Sequence, residues 1–127
     1  MARGVRTYRT IQKSQRSKYG NIKCKIDGYT FDSQKEGRRY AELKILLRKG
    51  LISNLELQKE FELQPAFRDP EGNAVRAIRY KADFCYTDNE TGRTIVEDVK
   101  SEATRKDAVY KIKKKMMAYR GIIIKEV

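Results

Sequence analysis

Three carboxylates and an ammonium stand where β-strands should be packing. Asp83 lies in "YKADF" (residues 80–84), and Glu97, Asp98 and Lys100 lie in or beside "VEDVK" (96–100), among Tyr, Phe, Ile and Val. Side chains alternate along a strand, so Asp98 and Lys100 are expected on one face, roughly 7 Å apart along the chain, with Glu97 on the other. On the preceding strand, Ile78, Tyr80, Ala82 and Phe84 are expected on one face and Asp83 on the other. A tight turn between the two strands brings Asp83 beside Asp98 at one end of a sheet. Two buried carboxylates side by side repel unless a proton or a cation lies between them. A divalent metal ion resolves that conflict, and magnesium is the hard cation such oxygen ligands suit.

Glu36 offers a third acid. On a helix, positions 36, 40, 43 and 47 fall on one side, so Glu36 heads the stripe Tyr40, Leu43, Leu47 that should face a sheet. Two roles are open to it: completing a capping box with Ser33, or reaching the rim of the sheet where Asp83 and Asp98 lie. Glu42-Leu43-Lys44 repeats the acid-x-lysine spacing of Asp98 and Lys100. It belongs to the same helix, however, where residues two apart diverge.

The elements that must position these groups are legible in outline. Residues 1 to 20 are polar and basic without apolar periodicity and read as a flexible arm; residues 21 to 127 read as the folded domain. "KCKIDGYTFD" gives two short strands around Asp27-Gly28, a pair suited to a type I′ turn. A helix is expected from about 33 to 49, stopped at Gly50. "LELQKEFEL" alternates through Leu55, Leu57, Phe61 and Leu63 as a strand, "RDPEGN" is a turn, and "AVRAIRYKADFCY" and "TIVEDVK" are strands joined through "TDNETGR". Thr104, with Asp107 three residues on, is expected to cap a second helix to about Arg120, its apolar side marked by Val109, Ile112, Met116 and Tyr119. "GIIIKEV" then reads as a buried strand. The order hairpin-α-β-β-β-α-β predicts an α/β sandwich, a mixed sheet flanked by two helices.

Composition narrows the chemistry. The 127 residues contain no histidine, which removes Ser-His-Asp and Cys-His mechanisms and His-dependent zinc sites. The two cysteines, Cys24 and Cys85, suit reduced thiols in a cytoplasm better than a disulfide framework, and no apolar run is long enough for a membrane helix. The net charge of +12 is segregated. Residues 1 to 25 hold Arg3, Arg6, Arg9, Lys13, Arg16, Lys18, Lys23 and Lys25 without an acid. From 104 to 120, Arg105, Lys106, Lys111, Lys113, Lys114, Lys115 and Arg120 stand against Asp107 alone. A nearly neutral body with two basic segments points to a polyanion, most simply nucleic acid.

This arrangement resembles the PD-(D/E)XK nuclease superfamily, whose core runs helix, three strands, helix, strand. From about Tyr19 to Val127 the chain is similar, more closely, to a phage-borne family described as endonuclease-like or Holliday-junction-resolvase-like. The matching stretches are "FDSQKE", "GLISNLELQKEFEL", "YKADFCY", "VEDVKSEATR" and "YKIKKKMM". The endonuclease subunits of heteromeric transposases are similar in order, including a glutamine after the first helix, here Gln58. The resemblance implies a restriction-endonuclease-like sandwich and a metal-dependent endonuclease acting on branched or otherwise structured DNA. It further implies a homodimer making two cuts, phage- or prophage-encoded and working in a bacterial cytoplasm. By position it implies Mg²⁺ or Mn²⁺ on Asp83 and Asp98, with Glu36 completing the site or holding a second ion. Lys100 would orient the attacking water and offset phosphate charge. The Pro-Asp of the superfamily name is Ala82-Asp83 here, the second acid is Glu97 or Asp98, and no QxxxY follows in the second helix.

Overall fold

Asp27 and Gly28 close the first hairpin with φ angles of 53° and 83°, the doubly positive pair that a type I′ turn demands. They join β1 (Cys24–Ile26) to β2 (Tyr29–Phe31) in antiparallel register. The computed structural model describes residues 22 to 127. The arm expected over 1 to 20, with Arg3, Arg6, Arg9, Lys13, Arg16 and Lys18, lies outside the described residues. The chain falls into two compact units that meet in sequence at Ile45 and Leu46.

In the first unit, Ser33 starts helix α1 (Gln34–Arg48): its Oγ accepts from the Glu36 amide at 3.1 Å. The expected stripe is present, with Glu36, Tyr40 and Leu43 buried and Leu47 half-buried. Gly37, also buried, lies against the Cys24 and Ile26 side chains of β1. The Tyr40 ring packs tilted against Phe31 (ring centres 5.1 Å apart), and its phenol donates to Asp27 Oδ2 at 2.8 Å. Burial and the Asp27 carboxylate push the Tyr40 phenol up to about 12.

The second unit is built on a four-stranded mixed sheet in the order β3-β6-β7-β8. Strands β3 (Ile52–Gln64), β6 (Ile78–Asp88) and β7 (Thr94–Asp98) run antiparallel, and β8 (Ile124–Glu126) pairs parallel to β7. The strand expected from Ala74 onward is interrupted. Phe67–Arg68 (β4) and Ala74–Val75 (β5) form a small hairpin of their own, because Asp69 Oδ1 folds the turn by accepting from the amides of Glu71 and Asn73.

A parallel pair needs a crossover, and here two helices supply it where one was expected. Ser101, not Thr104, caps α2 (Glu102–Arg105): its Oγ accepts from Thr104 N–H. Asp107 then turns extended (φ −62°, ψ 128°), breaks the helix, and caps α3 (Ala108–Tyr119) through the Tyr110 amide. The face that α3 turns inward also differs from expectation. Tyr110 and Met117 are buried, in one cluster with Leu63, Tyr80, Ala82, Cys85, Val96 and Ile124. Val109 and Ile112 are 58% and 59% exposed, and Tyr119 94%; only Met116 of the expected stripe packs on this core. The helix is held in that rotation at both ends. The Arg120 guanidinium donates to the carbonyls of Glu62 and Leu63 on β3, and the Tyr110 phenol donates to Glu126 on β8. Strand β8 lies at the sheet edge with Ile124 buried, while Ile123 just before it is exposed, so the closing stretch is buried on one side only. Among the described residues, no helix is long and apolar enough to cross a membrane.

Candidate active site

The β6–β7 register pairs Phe84 with Glu97 and Cys85 with Val96, so the next step of the ladder sets Asp83 opposite Asp98. The alternation expected along β6 does not hold through this point. Ala82 and Cys85 both join the α3-facing cluster, whereas Phe84 and Tyr86, equally buried, lie outside it. The break sits opposite Gln58, which falls between the pairs Leu57–Phe84 and Lys59–Ala82 and has a φ of 55°. A left-handed residue inside a strand twists the ladder locally. As a result the Tyr80 phenol, which strict alternation would put on the far side, donates to Asp98 Oδ2. Burial, followed by the charge of Asp98, pushes the Tyr80 phenol far above its ordinary value, so it remains a donor.

Asp98 is 2% exposed, and its Oδ2 also meets Lys100 Nζ at 3.2 Å. The pairing expected from their spacing is therefore present. The same ammonium lies 4.3 Å from the centre of the Tyr110 ring, within cation–π range. Asp83 sits next to this pair but turns its carboxylate to the backbone: Oδ2 accepts from Val99 N–H at 2.8 Å. It thereby clamps the residue between Asp98 and Lys100.

Glu97 points away from Lys100, as its place on the strand requires, and is wholly buried. It accepts from the Tyr86 phenol, and Lys125 approaches it to 3.8 Å. Glu126, the register partner of Asp98 across the parallel pair, gathers Tyr110 OH at 2.5 Å, Lys114 at 2.9 Å and Arg105 at 3.7 Å. The Tyr110 bond, then Lys114, hold the Glu126 carboxyl below the usual range, while burial and Glu126 push the Tyr110 phenol well up.

Of the residues singled out from sequence, Asp83, Asp98 and Lys100 are thus brought together. Glu36 belongs to the first unit, buried, with its amide on Ser33. Gln58 is exposed on β3. Lys106, Lys111 and Lys115 are exposed and Lys113 half-buried, without an ion pair among the described residues. Arg105 and Lys114 are turned onto Glu126 instead. Sequence reasoning missed Tyr80, Tyr110 and Glu126. The available signal was the density of tyrosines in the segments that carry the acids.

Among the described residues, no three Asp, Glu or Cys side chains gather closely enough to hold a metal ion. Asp98 nevertheless fits a hard cation: its contacts with Tyr80 and Lys100 fall on Oδ2, and no hydrogen bond among the described residues engages Oδ1. Two carboxylates and an ammonium at one strand end can bind a cation and face a phosphate.

No curated protein and no solved structure matches the chain. A family model described as "Protein of unknown function (DUF1064)" matches residues 16–126, so the chain belongs to that family.

Proposed function

We propose that the chain is a metal-dependent endodeoxyribonuclease with a restriction-endonuclease-like core, hydrolysing phosphodiester bonds in branched or otherwise structured DNA as a homodimer. The observation that carries this reading is the Asp98–Lys100 pair, 3.2 Å apart at the end of β7, with Asp83 across the ladder. Asp83 and Asp98 would hold Mg²⁺ or Mn²⁺, and the resemblance adds Glu36. When bound, the ion supplies Lewis-acid polarisation of the phosphodiester and a lowered pKa for the attacking water. The protein's own part is position and charge. Asp83 fixes the backbone at Val99, Tyr80 orients Asp98, and the Lys100 ammonium faces the charge that develops on the phosphate. The exposed lysines of α3 meet the DNA backbone, which favours recognition of structure over sequence.

A second reading is a non-catalytic DNA-binding module. One observation favours it: both Asp83 and Asp98 already have protein partners, Val99 N–H for the first and Tyr80 and Lys100 for the second. The deciding experiment incubates the protein with four-way junction, flap, nicked and duplex DNA in Mg²⁺, Mn²⁺ or EDTA. We expect metal-dependent cleavage that is abolished by Asp98→Asn and by Lys100→Ala while DNA binding persists. Glu36→Gln, scored by the same rate, tests the third acid. Binding without cleavage of any substrate in either metal would establish the module instead.

A further inference from the structure

We propose that Tyr110 is the positioning residue for Lys100, and that Glu126 fixes Tyr110 for that task. The proposal rests on Asp98 and Lys100 being a phosphodiester-cleaving pair. A lysine ammonium rides on a four-carbon stem with about 2 kcal/mol of rotamer entropy. A carboxylate alone leaves it free to swing about one oxygen. Here it meets Asp98 Oδ2 at 3.2 Å and the face of the Tyr110 ring at 4.3 Å. The ring attracts the ammonium through its quadrupole without accepting one of its protons.

The ring is itself fixed. Tyr110 is buried on α3, its amide is capped by Asp107 and its phenol donates to Glu126 Oε2 at 2.5 Å. Lys114 and Arg105 hold that carboxylate in turn. Glu126 is the register partner of Asp98, and the Lys100 and Val127 amides extend the same pairing by bonding to Val127 and Asp98 carbonyls. One strand pair therefore sets both ends of the path Asp98–Lys100–Tyr110–Glu126. Removing the ring should leave Lys100 beside the site but poorly aimed, a defect of kcat more than of KM.

The test compares wild type, Tyr110→Phe, Tyr110→Leu and Glu126→Gln by two measurements. The first is the proton shift of the Lys100 ε-methylene by NMR. It should lie upfield through the ring current in wild type and Tyr110→Phe, and return toward the ordinary value in Tyr110→Leu. The second is metal-dependent cleavage. Tyr110→Leu should lower kcat by about 10- to 100-fold with KM within about twofold, and Tyr110→Phe should recover to within about threefold. Glu126→Gln, a change at a partly exposed carboxylate, keeps a folded variant in hand should the leucine fail to fold, and should lower kcat no further than Tyr110→Phe does, since both weaken the same phenol–carboxylate bond and keep the ring. An ordinary Lys100 shift in wild type overturns the positioning, whatever the rates. So does a Tyr110→Leu enzyme at the wild-type rate, or a phenylalanine variant as slow as the leucine. A wild type that shows the upfield shift but cleaves nothing overturns the nuclease reading, and with it the catalytic half of the proposal alone.

Discussion

Glu97→Gln separates the two neighbouring acids of β7. Glu97 is 0% exposed and accepts from the buried Tyr86 phenol; Lys125, its charged neighbour at 3.8 Å, is itself more than half exposed. A hydrogen bond to a charged group contributes about 1.5–3 kcal/mol and a neutral one about 0.5–1.5. The amide retains an acceptor oxygen of the same shape, so the substitution loses the difference, roughly 1–1.5 kcal/mol. Lys125 adds well under 1 kcal/mol, since its head is solvated. The expected loss is therefore about 1–2 kcal/mol, or a fall in Tm of about 3–8 °C for a domain of this size. Thermal unfolding followed by circular dichroism measures it, beside the cleavage rate, which should hold within about twofold because Glu97 faces away from Lys100. An unchanged Tm with lost cleavage would refute the reasoning. Glu97 would then be the acid of the site, and Asp98 the structural one.

Gly37→Ala should destabilise although it adds a better helix former: the new Cβ would sit 2.9 Å from Cys24 Sγ and 3.2 Å from Ile26 Cδ1. Overpacking of about 1–3 kcal/mol outweighs a helix gain of at most about 1, and in a Cys24→Ala background, measured by chemical denaturation, the sign should reverse. Glu126 has a carboxyl held below its ordinary value of 4.5, so its contribution to stability is complete above that pH and is lost as pH falls through the folded-state value. The Tm gap between wild type and Glu126→Gln should accordingly be widest near neutrality and close on acidification; a gap constant from pH 6 to 3 would contradict it. Replacing both Lys111 and Lys115 by Ala should reduce the slope of log K for DNA against log salt by about 2, read by fluorescence anisotropy, if both touch phosphates.

Local chemistry was legible wherever a few residues decide the outcome. Asp27-Gly28 could hardly be anything but a tight turn, and the Glu36–Tyr40–Leu43 stripe followed from helical periodicity alone. The pairing of Asp98 with Lys100 needed only the period of a strand. Failures came where two local solutions compete. Ser101, Thr104 and Asp107 can each cap a helix, and the choice fell on the first and third because the backbone turns extended at Asp107. Helix α3 carries two apolar sides, one of Tyr110 and Met117 and one of Val109, Ile112, Met116 and Tyr119. Periodicity sees both, and only the anchors at Arg120 and Tyr110 choose between them. The reach of Tyr80 to Asp98 depends on the left-handed backbone at Gln58, a residue whose type gives no hint of it. Tertiary pairing decided these cases, and it is invisible to a window of a few residues.

The outward side of α3 has a colloidal consequence. Val109, Ile112 and Tyr119 form an exposed apolar line beside Lys111 and Lys115, on a helix that contains no acid. Two molecules approaching by these faces meet like charge before they meet apolar surface. That repulsion reaches about 30 Å at 0.01 M salt, but only about 8 Å at 0.15 M and 3 Å at 1 M. Added salt therefore uncovers an attraction that dilute buffer conceals. The protein should be most dispersed at low ionic strength and should cluster as salt rises, the opposite of material held together by opposite charges.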